Sequence, residues 1–211
     1  MDKAVRAPFG NVKYDPSEGL LRKIFPSLIL ASSSPNRREY LESLGMEVTQ
    51  VKTDVFETKD GDASLITLEN AKRKMDAYLS TDETPVKDVI TLDTLVALDG
   101  KAIGKPDGVD EARAIISSLS GRWHTVYTSL VLFDKDKGVI KSGTETTFVK
   151  FKELSGIDVN AYINSGDWEG AAGGYRIQRS GGRLVKEIDG DWTNVIGIPV
   201  LLLLKLKSGG N

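Results

Sequence analysis

The chain has 211 residues, with 28 lysines and arginines against 30 aspartates and glutamates, and its formal charge is -2. This length supports one substantial hydrophobic core and is short for two. The balanced charge gives no net basic field, so we expect neither a nucleic-acid partner nor a membrane partner. With no cysteine and a single histidine, His124, the chain excludes disulfides, thiolate catalysis, cysteine-ligated zinc and any site that needs two imidazoles.

The two ends of the chain differ in hydrophobicity. Residues 1–26 carry charges and prolines without an apolar run, which predicts an irregular N-terminal segment before a single domain at residues 27–207. The most hydrophobic stretch, residues 195–206, has 12 residues, whereas a membrane span needs about 20. It therefore predicts a core helix or strand, and with no targeting pattern we expect a cytoplasmic protein.

The first half of the chain alternates strand and helix patterns. Residues 27–32 predict a buried strand, residues 35–45 a helix that begins at a proline, and residues 46–51 a second strand. Residues 62–80 then predict an amphipathic helix. Its apolar positions recur at three- and four-residue spacing and are Leu65, Leu68, Ala71, Met75 and Leu79.

The second half adds an antiparallel pattern. Residues 86–103 predict a strand, a turn at Asp99 and Gly100, and a second strand. Residues 109–121 predict a helix, and residues 123–151 predict two long strands around a polar turn. Residues 154–166 predict a helix with a serine cap, with Ile157, Ala161 and Tyr162 facing inward. The sum is an α/β fold with one mixed sheet in a single domain.

Three serines and a proline, residues 32–35, join the first strand to the first helix. Hydroxyls and unpaired N–H groups at a helix N-terminus favour an anion. Arg37 follows in the first turn and suits phosphate oxygens as a planar fork. A serine-capped helix with solvated arginines explains the same residues. Neither the P-loop nor the dinucleotide-binding glycine pattern occurs in the chain.

Two further stretches carry candidate functional groups. Asp93 follows an apolar strand, and a carboxylate there is costly unless it meets a cation, a metal or a water to polarise. Lys105, between Gly104 and Pro106, is a rigidly placed amine that suits a phosphate, although loop lysines are commonly only solvated. The glycine-rich residues 171–182 allow close backbone approach to a ligand, and Gln178 offers the donor and acceptor needed to bind a base edge.

Together these stretches resemble the Maf family. LILASSSPNRREYLESLG is similar to the family's L-A-S-x-S-P-R-R-x-E-L-L, and TLDTLVALDGKAIGKP to A-D-T-x-V-x-x-D-G-x-x-x-G-K-P. Four further segments follow in the family's order: TLENAKRKMDAY, LSGRWHTVYT, AYINSGDWEGAAGGYRIQ and IDGDWTNVIGIPV. The similarity extends from about Leu28 to Leu206, which is nearly the whole chain.

The resemblance implies a fold related to the inosine triphosphatases, with two lobes flanking a cleft. It also implies an enzyme that hydrolyses a nucleoside triphosphate to the monophosphate and pyrophosphate with Mg²⁺ or Mn²⁺. In that family pattern Asp93 would accept a proton from water, and Glu57 and Asp93 would hold the metal. The groups that bind the triphosphate would be Arg37, Lys74 and Lys105, with Ser32 and Ser34 lining the cradle.

Three positions bear on the choice of base in the resemblance. Thr94 and Gln178 are similar to the branch that acts on dTTP and UTP, with CTP and modified pyrimidine nucleotides as further substrates of a housecleaning role. Asn36 stands where the first arginine of S-P-R-R is usual. The alternatives are a pyrophosphatase for a modified purine such as 7-methyl-GTP and a regulatory module that binds nucleotides without hydrolysis. Homodimers are common in the family, so the resemblance allows one.

Overall fold

A mixed sheet of seven strands organises the parts of the chain that the computed structural model describes, residues 16–58, 61–80 and 85–209. The strands are β1 (Ser27–Ala31), β2 (Glu47–Val51), β3 (Val89–Leu98), β4 (Lys101–Ile103), β5 (Trp123–Asp134), β6 (Val139–Phe151) and β7 (Val185–Asp189). The α-helices are α1 (Pro16–Ile24), α2 (Pro35–Ser43), α3 (Ala63–Leu79), α4 (Val109–Leu119), α5 (Gly156–Asn164), α6 (Trp192–Ile196) and α7 (Val200–Ser208). The predicted α/β fold with one mixed sheet is confirmed.

The strand order is β2-β1-β3-β5-β6-β7, with β4 paired to the far half of β3. β1 is parallel to β2 and to β3, whereas β3, β5, β6 and β7 pair antiparallel. The predicted turn between β3 and β4 is formed by Asp99 and Gly100, which have φ values of 50° and 75°. Two such residues match the hairpin turn that follows the twist of its strands.

The side chains of β3 alternate between two cores. Ile90 and Leu92 belong to the main core, which includes residues of every α-helix except α3. Val89 packs in a second core with Ala71 and Met75 of α3, and the hydroxyl of Thr91 donates to a backbone carbonyl of the same helix. Because side chains alternate along a strand, Asp93 faces α3 and Thr94 faces the opposite side.

β1 is much shorter than β3. The two strands pair only at Ile29–Val89 and Leu30–Ile90, and β4 joins the same edge of β3 only from Val96 onward, so residues 91–95 of β3 have no strand beside them there. Backbone groups of a strand need other partners where the ladder stops. The position lies at the carboxyl end of a parallel strand, which is where α/β sheets usually bind ligands.

The structure corrects three expectations about where apolar residues lie. Residues 16–24 form α1 rather than an irregular segment, because Leu21 and Phe25 are fully buried in the main core; residues 1–15 lie outside the described part. In α5, Ile157 is 80% exposed and Ala161 is exposed, while Tyr162 is buried as predicted. The helix buries Val159, Tyr162 and Ile163, the stripe with the larger apolar area.

Helix α3 has a polar inner face that its apolar periodicity did not predict. Leu65, expected inside, is 67% exposed, whereas the buried positions include Thr67, Asn70 and Lys74. The core helix predicted within residues 195–206 is confirmed by α7, which follows the turn after α6 and buries Val200, Leu202 and Leu203. No helix within the described ranges is long and apolar enough to cross a membrane.

A buried ion cluster fixes α7 to the sheet. The Lys207 ammonium lies 2.9 Å from Asp88, 2.6 Å from Asp134 and 2.9 Å from Asp136. Asp88 and Asp134 are buried. Burial raises the pKa of Asp134, but the hydrogen bond and charge of Lys207 outweigh this effect and hold the pKa below its usual value. Lys207 is thus the counter-ion that all three carboxylates share, whereas Lys137 and Lys141 lie further away, each 3.9 Å from Asp134.

We expect Lys207→Met to lower the free energy of unfolding by about 3 kcal/mol at pH 7, because it removes the counter-ion closest to the buried Asp88 and Asp134. The deficit should shrink below about pH 4, where carboxyl groups are protonated and no longer need the ammonium. Urea unfolding of wild type and variant at several pH values measures this difference. Lys205→Met, in the same helix at an exposed position, is the matched control, and an equal loss in both variants would contradict the prediction.

His124 is held neutral inside the main core. It is 2% exposed, its Nε2 is 2.8 Å from the hydroxyl of Tyr175, and its ring packs edge-on against Phe151. Burial lowers the pKa of His124 to about 4, well under the value of about 6.5 for an unfolded chain. Protonation therefore favours the unfolded chain.

Because the unfolded chain binds a proton at His124 below about pH 6.5 and the fold does so only near pH 4, stability should fall as the pH falls between these values. We expect wild type to be about 2 kcal/mol less stable at pH 5 than at pH 7.5. The double variant His124→Phe/Tyr175→Phe removes both polar partners together and should flatten this slope. Chemical unfolding across this pH range measures it, and an unchanged slope in the double variant would rule out His124 as the cause.

Candidate active site

Two carboxylates and a buried lysine meet beside the free edge of β3. The Lys74 ammonium lies 2.7 Å from Glu57 Oε1 and 2.9 Å from Asp93 Oδ1, and donates to the Leu92 carbonyl at 3.3 Å. Lys74 and Asp93 are 7% and 8% exposed. Ion pairs this deeply buried depend on full hydrogen bonding, so the three side chains form one unit.

The charges around Glu57 keep it ionised. Burial raises the pKa of Glu57, but the hydrogen bond and charge of Lys74, with the charges of Lys105 and Arg37, outweigh burial, and the net pKa lies below its usual value. The Glu57 side chain is 42% exposed. It therefore presents a charged carboxylate to solvent next to the buried Asp93.

Arg37 is built into the sheet. It is 8% exposed, and its Nε donates to the Gly197 carbonyl at 3.0 Å. Its Nη1 donates to Ser32 Oγ and to the Leu92 carbonyl, both at 3.0 Å, and its Nη2 donates to Thr94 Oγ1 at 2.8 Å. Four of the five guanidinium N–H groups thus bind the described protein, which leaves one Nη2 hydrogen for a ligand. Burial lowers the pKa of Arg37, while the charges of Asp93 and Glu57 act in the opposite direction.

Polar groups of β5 and α6 support Arg37 from behind. Thr94 Oγ1 is 3.0 Å from Thr128 Oγ1, which donates to the Asn194 carbonyl at 3.0 Å. The turn after α6 brings Gly197, with φ of 92°, against this pair. A Cβ atom at Gly197 would lie 3.0 Å from both Arg37 Nε and Thr94 Oγ1. Any larger residue here would displace the guanidinium.

The serine-rich turn is held by β2. Gln50 donates to the carbonyls of Ser32 and Ser34 at 2.7 and 3.1 Å, and Ser32 Oγ accepts from the backbone N–H of Ser34 at 3.3 Å. Ser32 is buried, whereas Ser34 is half-buried, and its hydroxyl makes no cap hydrogen bond with the helix that follows. Ser34 therefore retains a hydroxyl at the N-terminus of α2.

The glycine-rich loop, which contains Gln178, is hydrogen-bonded to the backbone beside Lys105. The N–H of Gly173 donates to the Gly104 carbonyl at 3.1 Å, next to Lys105. A Cβ at Gly173, which has φ of 65°, would lie 2.5 Å from Val96, so only glycine lets this loop lie against β3. Gln178 follows in the same loop and is half-buried.

The sequence of the chain matches a known protein family over most of its length. The pattern of the family described as "Maf-like protein" matches residues 27–208. The chain belongs to the Maf-like protein family. The resemblance noted from its motifs is thereby confirmed over most of its length.

Relatives of this Maf-like chain carry a specific name. A dTTP/UTP pyrophosphatase of Pyrococcus furiosus is 40% identical over 187 residues, which cover 87% of this chain and 95% of that protein. A dTTP/UTP pyrophosphatase of Chromobacterium violaceum is 38% identical over 178 residues, covering 82% and 89%. Among solved structures, a HAM1 protein from Coxiella burnetii matches 88% of this chain and 99% of its own, with 13% identity and a TM-score of 0.47.

The Maf-like structure brings most of the predicted site residues together. Direct contacts form two groups, which share the Leu92 carbonyl: Glu57, Lys74 and Asp93 in one, and Ser32, Arg37 and Thr94 in the other. Lys105 is linked to them through its charge on Glu57. Asn36 and Gln178 are half-buried and make no side-chain hydrogen bond within the described ranges.

Sequence reasoning missed the residues that support these groups. Asn70 donates to Asp93 Oδ2 at 3.0 Å, Gln50 holds the serine turn, and Thr128 and Gly197 back Arg37. A signal for Asn70 was available, because it stands four residues before Lys74 and therefore on the same helix face. Gln50, Thr128 and Gly197 had none, because their partners are distant in the chain.

Glu57 and Asp93 suit a divalent cation of the hard type. Mg²⁺ is commonly held by one or two carboxylates together with water and substrate phosphates, and this Maf-like site offers two carboxylates. The group of three acidic residues found elsewhere in the described chain, Asp88, Asp134 and Asp136, already binds Lys207. Glu57 and Asp93 are accordingly the pair that could hold the cation at this site.

We expect Arg37→Lys to lower the free energy of unfolding by about 3 kcal/mol. A single ammonium cannot reach all the acceptors that the guanidinium binds, so buried groups such as the Gly197 carbonyl and Thr94 Oγ1 lose their hydrogen-bond donors. Denaturant unfolding at pH 7 measures the change. Arg38→Lys is the matched control, since Arg38 is exposed and makes one ion pair, with Glu42. Similar stabilities for both variants would show that the buried hydrogen bonds of Arg37 do not stabilise the fold.

Proposed function

We propose that this protein hydrolyses dTTP and UTP to the nucleoside monophosphate and pyrophosphate. The observation that carries the proposal is the pair of carboxylates, Glu57 and Asp93, bridged by the buried Lys74 and adjacent to Arg37. A module that only binds nucleotides needs cations for the phosphates but has no need of two carboxylates beside them. The relatives named dTTP/UTP pyrophosphatase support the substrate class.

In the proposed reaction Asp93 accepts a proton from the water that attacks the anhydride between the α and β phosphates. The attacking water forms a new P–O bond, the anhydride bond breaks, and pyrophosphate leaves. The hydrogen bonds from Lys74 and Asn70 to its two oxygens hold the Asp93 carboxylate in one orientation. Phosphoryl transfer depends mainly on positioning and charge neutralisation, which is what these contacts supply.

Positive charge for the triphosphate comes from three side chains in this proposal. Arg37 offers its one unused N–H and Lys105 is exposed. Lys74 adds its charge to the site, while its hydrogens bind Glu57, Asp93 and the Leu92 carbonyl. Ser32 and Ser34 line the turn at the N-terminus of α2, where unpaired N–H groups favour an anion. Lys105 and the serine turn would thus meet the same phosphate chain.

Mg²⁺ or Mn²⁺ would be held by Glu57 and Asp93 in the proposed site. When bound, such a cation neutralises charge on phosphate oxygens and polarises them. Lys74 offsets one of the two carboxylate charges in the protein alone. The site therefore gains most from a cation that arrives with the negatively charged nucleotide.

Base choice in the proposal depends on Thr94, Gln178 and Asn36. Gln178 lies in the glycine-rich loop, which a hydrogen bond from Gly173 N–H links to the Gly104 carbonyl beside Lys105, so a base that Gln178 binds would lie near the phosphates. Thr94 is half-buried, and its hydroxyl is hydrogen-bonded to Arg37 and Thr128. We assign pyrimidine preference to Thr94 and Gln178, with CTP and modified pyrimidine nucleotides as weaker substrates of a housecleaning activity.

The remaining proposals concern the protein as a whole. We propose that residues 27–207 form the catalytic domain. Neither a nucleic-acid partner nor a membrane partner is needed for the reaction, and a homodimer is compatible with it. We assign the reaction to the cytoplasm, where a nucleotide pool is available to such an enzyme.

The test is pyrophosphate release from dTTP, UTP, CTP, GTP and 7-methyl-GTP with Mg²⁺, with Mn²⁺ and with chelator. We expect metal-dependent release that is fastest with dTTP and UTP. Asp93→Asn should lower kcat by roughly 10³-fold while nucleotide binding persists, because the variant loses the proton acceptor. Asp99→Asn, at an exposed turn, is the matched control and should keep full activity.

Each other outcome removes one part of the proposal. Retained turnover in Asp93→Asn would exclude Asp93 as the proton acceptor. Nucleotide binding without release from any substrate would favour the regulatory module. Preference for 7-methyl-GTP would show that Asn36 outweighs Thr94 and Gln178 in the choice of base.

A further inference from the structure

Asn70 connects the two segments that carry the carboxylates. It lies on the inner face of α3, is 2% exposed, and its Nδ2 donates to Asp93 Oδ2 and to the Thr58 carbonyl, both at 3.0 Å. Its Oδ1 accepts from the Thr58 N–H at 2.9 Å. Both amide hydrogens and the amide oxygen are therefore engaged, as burial of the group requires.

The orientation of this amide follows from its partners. A backbone N–H can only donate, so the atom that faces Thr58 N is the amide oxygen. The NH₂ group consequently faces Asp93. Asp93 then receives one fixed donor on each oxygen, Lys74 on Oδ1 at 2.9 Å and Asn70 on Oδ2. Rotation of the carboxylate would break both hydrogen bonds.

The other end of the connection holds Glu57. Thr58 follows Glu57 directly, in a segment at residues 52–58 that has neither helix nor strand. Such a segment lacks the ladder of backbone bonds that fixes a strand. The two hydrogen bonds between the Asn70 amide and the Thr58 backbone replace it, and on the outer side Arg73 donates to Thr58 Oγ1 at 2.9 Å. Glu57 is thus placed by α3 rather than by the sheet.

We propose that Asn70 is the positioning residue that sets the separation of the Glu57 and Asp93 carboxylates for the divalent cation. One side chain binds Asp93 directly and the backbone next to Glu57 directly. Residues that orient metal ligands in this way typically change metal affinity or activity by about 10- to 100-fold when replaced. The inference rests on the proposed function, because it concerns the cation of that reaction.

The test is the affinity for Mn²⁺ of wild type and Asn70→Leu, a replacement of similar size without hydrogen bonds. The free Mn²⁺ signal in electron paramagnetic resonance measures binding, with a nucleotide analogue whose α–β bridge cannot be hydrolysed present at saturation. We expect the Mn²⁺ dissociation constant to rise at least about 10-fold. In turnover, the Mn²⁺ concentration for half-maximal activity should rise likewise, while the KM for dTTP at saturating Mn²⁺ stays within about 3-fold.

The matched control is Thr91→Val. The hydroxyl of Thr91 donates to the Ala71 carbonyl at 2.6 Å, so this variant loosens the same helix on the same strand without touching either carboxylate. We expect lower stability but unchanged Mn²⁺ affinity. If loosening of α3 alone were responsible, Thr91→Val would weaken Mn²⁺ binding as much as Asn70→Leu, and the positioning role would be excluded.

Unchanged Mn²⁺ affinity in folded Asn70→Leu overturns the inference, as does a wild type that binds no Mn²⁺ with the analogue. If Asn70→Leu does not fold by circular dichroism, Asn70→Ser, which keeps a small polar side chain but cannot span the two partners, decides by the same measurement. A failure of the proposed function would be recognised by a different result. Wild type would then release no pyrophosphate from any nucleotide, whatever the Mn²⁺ affinities of the variants.

Discussion

The carbonyl oxygen of Leu92 accepts hydrogen bonds from two buried cations, Arg37 and Lys74, and the site is arranged around this contact. It exists because β1 stops pairing with β3 at Leu30, which leaves the next part of β3 without a neighbouring strand. A strand in that place would satisfy the carbonyl but would leave no room for the cations. Because β1 ends early, the Leu92 carbonyl is bound by Arg37 and Lys74 instead of by a neighbouring strand. Two positive charges therefore lie beside the carboxyl end of β1.

Two helices bring the cations from opposite faces of the sheet. Arg37 comes from α2 on the side of the main core, and Lys74 comes from α3 on the other side. Each cation is matched locally, Lys74 by Glu57 and Asp93, and Arg37 by neutral acceptors and the nearby charges of the same carboxylates. Burying two positive charges is costly unless they are compensated, so the two carboxylates also lower the cost of burying Lys74 and Arg37.

Hydrophobic pattern and turn residues predict where several elements of the fold lie. Periodicity and turn residues alone predict strands β1 and β3, the turn at Asp99 and Gly100, and α4. Helix α3 was predicted as a helix but with a different inner face, because periodicity assigns apolar residues to the core. There the tertiary structure buries Asn70 and Lys74, whose partners lie on β3 and in the segment at residues 52–58. Local rules fail at this point because the inner face of α3 serves the site.

The sequence by itself determined the family, the class of fold and the set of charged residues, because each depends on residue types at short spacing along the chain. Only the tertiary structure decided which of these charges meet. The pairing of Lys74 with both carboxylates, the use of four N–H groups of Arg37 within the protein, and the support from Gln50 and Gly197 all join residues far apart in the chain. Contacts of that kind depend on strand register and helix placement, and no local pattern encodes them.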